Sequence, residues 1–145
     1  MSMKFFPHVL PLFALLLGGC SIVQTVQPVP KFVGKEVCII ENPAVRSTVF
    51  DVYKNSLIAK GYEPRKLAAG SSLITCPITS TYVANWSWDL AMYMYFADIK
   101  VYQDAKPAGE AVYDASLGSG NMKKFIKADA KIKELVDQLF PVNAY

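Results

Sequence analysis

The sequence has a single histidine, His8, within its first eight residues. A chain that loses that segment has no imidazole left. It then has no histidine general base, no Ser-His-Asp triad and no histidine-ligated zinc site. Carboxylate, lysine and tyrosine chemistry remain open. Long hydrophobic runs are also missing near the start. Residues 9–17, VLPLFALLL, carry no charge but are interrupted by Pro11. A spanning helix needs about 20 apolar residues. Charge of one sign is scarce too, since 15 basic residues face 12 acidic ones. A net charge of +3 is too small to argue for nucleic acid. No internal repeat, low-complexity block or metal-ligand constellation is visible.

What is present begins at the N-terminus. Lys4 supplies a thin cationic start, residues 9–17 an apolar core, and Gly18-Gly19 small residues before a cut. That order describes a secretory signal. The four residues Leu17-Gly18-Gly19-Cys20 resemble the lipobox of bacterial lipoproteins. The resemblance implies cleavage before Cys20, a thioether-linked diacylglycerol on its sulfur, and acylation, such as with palmitate, of the new amine. Two acyl chains give stable membrane anchoring. Position 21 is serine. In enterobacterial lipoproteins an aspartate there retains the protein in the inner membrane, so the resemblance favours the periplasmic face of the outer membrane. The expected organisation is a signal over 1–19, a tether over 20–32 and a single α/β sandwich domain over 33–145.

Cleavage would remove Lys4 and His8 and leave a chain of one-domain length. With Cys20 acylated, Cys38 and Cys76 remain. An even pair in an oxidising compartment reads as a disulfide, with two buried thiols as the alternative.

The tether, SIVQTVQPVPKF, has two prolines and three glutamine or threonine positions where a core pattern would be apolar, and reads as a spacer. Residues 35–41 read as the first strand. Asn42-Pro43 marks a helix start, and Lys60-Gly61 its end. A short strand is expected over 62–67, a long one over 72–85 with a bulge or an edge at Pro77, a reversal over 86–90, a second long strand over 91–103 and a last strand over 109–116. A turn is expected over 104–107. A second helix is expected over 122–140, with Phe125, Ile132, Leu135, Val136 and Leu139 as its apolar stripe. The result is an α/β (α+β) fold. It has a mixed, mostly antiparallel sheet of about five strands, two helices on one face, and the order β-α-β-β-β-β-α. That order is similar to the small sandwich domains of envelope lipoproteins and to the amino-terminal domain of TolB proteins. From Gly109 through FIKADAKIKELVDQLF the chain also resembles short proteobacterial envelope lipoproteins that carry no assigned activity.

The densest candidate site is aromatic. Trp86, Trp88, Tyr93 and Tyr95 surround the long hairpin, with Met92, Met94 and Phe96 interleaved. Alternation places Tyr93 and Tyr95 on the face of Ala97, Ile99 and Val101. If helices cover one face only, the other presents large apolar groups to a partner, a second copy or lipid; a core packed on both faces gives the same pattern. The expected function is therefore a non-enzymatic binding or assembly module. Its partners would be the membrane, through Cys20, and an envelope protein or a homo-oligomer, with no cofactor. A carrier or sensor of a small apolar ligand is the alternative. A cell-wall enzyme using Asp89, Asp98 and Asp114 is the third reading. The lysines of the second helix and Gly118-Ser119-Gly120-Asn121 are lesser candidates for anion contact, and ordinary as a solvated face and a flexible cap.

Overall fold

The computed structural model describes residues 21–143. The signal and Cys20 lie outside the described residues. The element order is β1 (Val23–Gln27), β2 (Glu36–Ile40), α1 (Ser47–Ala59), β3 (Glu63–Leu67), β4 (Ile78–Asp89), β5 (Ala91–Gln103) and β6 (Lys106–Asp114). A 3-10 turn (Met122–Phe125) and α2 (Ala128–Leu139) complete it. One sheet of six strands runs β1-β6-β5-β4-β2-β3. β2 pairs parallel with β3 and β4, and the other neighbours are antiparallel. The mixed sheet with two helices agrees with the sequence.

Both helices cover one face. Val49, Tyr53 and Leu57 of α1 and Ile132, Leu135, Val136 and Leu139 of α2 bury against Val37, Ile39, Tyr82, Ile99 and Ala111. The four α2 residues are the stripe read from helical periodicity. α1 ends as expected. Gly61 adopts φ 89°, its N–H reaches the Ile58 carbonyl, and the Tyr62 N–H reaches Leu57. This paired arrangement satisfies orphan carbonyls at little steric cost because glycine lacks a Cβ.

Several expectations need correction. The stretch read as a spacer contains β1, which pairs with β6 from Val23↔Asp114 to Gln27↔Glu110. Gln24 is no solvated spacer residue, because its amide donates to Glu134 and its carbonyl accepts from Lys131. The tether is thus part of the domain. α1 begins at Ser47 because Asn42 is used elsewhere: its Oδ1 accepts from Ala44 N–H and its Nδ2 donates to the Tyr82 carbonyl. The second helix is broken. Ile126 is extended (φ −58°, ψ 144°), so Phe125 leaves the α2 stripe. β4 starts only after Pro77 and runs on through Trp86–Asp89, where a reversal was expected. The reversal shrinks to Leu90, and the next turn to Asp104-Ala105.

The face assignment in β5 is also overturned. Asn85 pairs with Phe96 and Trp86 with Met94, so Tyr95 has no partner on β4. This bulge switches the alternation. The buried positions are Met94, Ala97, Ile99 and Val101, not Tyr93 and Tyr95.

Opposite the helices, Cys38, Ile40, Leu67 and Cys76 form a second apolar cluster with Leu73 packed on it. The Cys38–Cys76 disulfide, with its Cα atoms 6.2 Å apart, staples the 68–77 loop over β2.

Burial raises the pKa of Tyr53, Tyr62 and Tyr113 above the ordinary value of 10. The neutral phenols are then favoured in the fold more than in the unfolded chain. Their contribution is complete below pH 10 and is lost as pH rises through the folded-state values. Alkaline unfolding should therefore set in above pH 10, followed by circular dichroism, and Tyr53→Phe should move its midpoint to higher pH. An unmoved midpoint would exclude Tyr53 as the group responsible.

Candidate functional site

Asn85, Phe96, Asp114 and Val23 form one row across four strands. β6 stops at this row, but the β4–β5 hairpin continues through Trp86–Asp89. At strand rise it reaches about 13 Å further. β1 also enters the sheet at this end, so Ser21 and Ile22 leave it in the same direction as the hairpin.

The apex is unusual. Leu90 has φ 61°, a left-handed conformation that is costly for a bulky residue. It is 87% exposed, and Trp88 and Met92 on either side are 68% and 55% exposed. Met122 of the 3-10 turn is exposed as well. The turn packs along the hairpin. Phe125 meets Tyr93 edge-on with centroids 5.4 Å apart, and Lys124 bridges to Asp89 while lying over both rings.

The four aromatic residues singled out in the sequence therefore divide. Trp86 packs on the main core under the Arg46 guanidinium, 4.5 Å from its ring. Tyr93 is held by Phe125. Tyr95 is half-buried in the bulge, and its carbonyl accepts from Ala115 N–H. Trp88 alone of the four is open. Leu90 and Met92 join it at the apex, where Met92 pairs directly across from Trp88.

The three acids have separate partners. Asp89 sits at the tip on Lys124. Asp98 lies on the outer sheet face, 3.3 Å from Lys100; burial raises its pKa and Lys100 opposes the rise. Asp114 accepts from Ser116 N–H at 2.8 Å. Ligand atoms of Glu36, Cys38 and Cys76 lie within 4.8 Å of one another, but the two sulfurs are bonded to each other and offer no thiolate.

Beside the hairpin end lies a cavity of about 760 Å³. Ser21 and Ile22, Tyr113 of β6, the 3-10 turn with Ile126, and Lys131 of α2 wall it. Lys131 donates to Gln24 and Glu134 and lies 4.9 Å over the Tyr113 ring. Hydrogen bonds donated by Lys131 and Gln24 hold the Glu134 pKa below the ordinary carboxylate value. Sequence reading marked Asn121 and the lysines after it as lesser candidates for anion contact but missed the cavity, because its other walls, Ser21, Ile22 and Tyr113, lie far away in the chain.

No protein-family model and no curated protein matches the chain. Solved structures do. The PelC dodecamer from Paraburkholderia phytofirmans superposes with a TM-score of 0.55 at 14% identity, covering 82% of this chain and 98% of that one. A point variant of the same dodecamer gives 0.52 at 10% identity, covering 80% and 92%. At such identities the likeness shows a shared fold.

Proposed function

We propose that the protein is a lipid-anchored, non-enzymatic assembly module. Acylated Cys20 would hold it at the periplasmic face of the outer membrane, and copies would associate through the β4–β5 hairpin end. The observation that carries this reading is the apex itself. Trp88, Leu90 and Met92 are exposed together, and Leu90 holds a left-handed turn position that glycine would adopt at less cost. Exposed apolar clusters of this kind mark contact surfaces, and tryptophan is enriched among residues that dominate binding. The shared fold with a protein crystallised as a dodecamer favours a second copy as the occupant.

The test is the mass of the detergent-extracted protein by light scattering, with labelled palmitate tracing acylation. The wild type should be acylated at Cys20 and oligomeric. Trp88→Ala should weaken association by about 30-fold, equivalent to a loss of about 2 kcal/mol at a dominant contact. Leu90→Gly should do likewise while relieving the backbone, so its melting temperature should hold or rise. A monomeric wild type, or variants that assemble unchanged, would remove this reading.

A further inference from the structure

We infer that the cavity beside Ser21 is a binding site for an anionic phospholipid. Tyr113 is 1% exposed, and its hydroxyl has no hydrogen-bond partner among the described residues. A buried hydroxyl without a partner is a standing cost to the fold and is explained by something it serves. Burial and the nearby Glu134 and Tyr93 keep this phenol protonated, so it offers a donor.

The other polar groups on the walls also include donors. Lys131 gives two of its three N–H groups to Gln24 and Glu134, which leaves one. The Asn121 carbonyl oxygen accepts from Lys123 N–H, which leaves its amide donors for the cavity. Lys123 adds a cation with no ion pair among the described residues. Among the described residues no carboxylate lines the cavity, and Glu134 behind Lys131 is already covered by Lys131 and Gln24. Ile22, Met122, Phe125 and Ile126 supply the rest of the wall.

Converging donors and positive charge beside an apolar wall fit a phosphate head with hydrocarbon attached. A volume of about 760 Å³ suits a bound small molecule. The source is placed by Ser21, the residue after Cys20. This assignment rests on the proposed anchoring, which sets the mouth of the cavity at the bilayer surface.

Native mass spectrometry of the full lipoprotein tests it, from neutral detergent micelles carrying equal phosphatidylglycerol and phosphatidylcholine. Adducts of the anionic lipid should exceed those of the neutral one by tenfold or more. A hydrogen bond to a charged group is worth about that much in affinity, so Tyr113→Phe should cut the anionic adduct by about tenfold. Without lipid the same variant should melt higher, because an unpartnered hydroxyl is gone. Lys123→Gln, on the surface, should also weaken the adduct and leave the fold intact. Equal adducts of both lipids, undiminished binding by Tyr113→Phe, or inorganic phosphate binding as tightly as the lipid would each overturn the assignment. The same spectra weigh Cys20. An unacylated chain that still takes phosphatidylglycerol keeps the cavity and loses the anchor, whereas an acylated chain without adducts does the reverse.

Discussion

Cys38→Ala and Cys76→Ala should each lower the stability of the domain by about 4 kcal/mol in the chain-entropy treatment. The bridge spans a sequence separation of 38, so its loss frees a long loop in the unfolded ensemble. The two substitutions should cost nearly the same, because either one breaks the same bond. The site adds a second reason. Cys38, Ile40, Leu67 and Cys76 are the whole of a small cluster on the face that the helices leave bare. Without the staple, Leu73 and the 68–77 loop have little else to hold them over β2. Arg65 would lose its contact to Cys76 Sγ at 2.9 Å and keep its pairing with Glu36. Urea unfolding midpoints measure the effect, and reductant on the wild type should reproduce it. A midpoint that ignores both reductant and substitution would show that the bridge does not stabilise the domain.

Tyr53→Ala should cost about 3–5 kcal/mol, the range for removing a large aromatic side chain from a core. Tyr53 is fully buried, with its ring 6.2 Å from that of Tyr82 and 6.4 Å from that of Phe140. It therefore joins α1, the sheet and the chain after α2. Its hydroxyl lies 2.6 Å from Ser80 Oγ, which also donates to the Lys100 carbonyl. Tyr53→Phe leaves Ser80 that second partner and should cost only about 1 kcal/mol. The gap between the two variants, read from denaturant midpoints, separates packing from hydrogen bonding. Equal losses would mean that the hydroxyl, not the ring, carries the residue's contribution.

Periodicity and end signals made much of this fold legible. The α2 stripe follows helical spacing and the α1 terminus follows its glycine. β5 occupies residues 91–103, the same bounds that its composition marked. The pairing of Cys38 with Cys76 was expected from their even number and from the oxidising compartment that the N-terminal motif implies. Three features left no local signature. β1 carries a glutamine on a position that faces the helices, and Gln24 is acceptable there because Lys131 and Glu134 come from more than a hundred residues away. Pairing at the hairpin tip overrode the turn-like reading of 86–90. The bulge at Tyr95 adds one residue without changing composition, yet it decides which side chains in β5 are buried. Hence Trp88 and Met92 were legible as part of the aromatic site, and the exposure of Leu90 between them was not. The cavity depends on Ser21, Tyr113 and Lys131, which no sequence window holds together.

The incorporation of β1 into the sheet shortens the leash. Only Ser21 and Ile22 separate Cys20 from the first paired residue, Val23, a reach of about 10 Å even when stretched. On the proposed anchoring, the domain could neither stand off from the bilayer nor tumble freely. Encounters between copies would become a search in two dimensions with their orientation largely set beforehand, which raises effective concentration without any added contact.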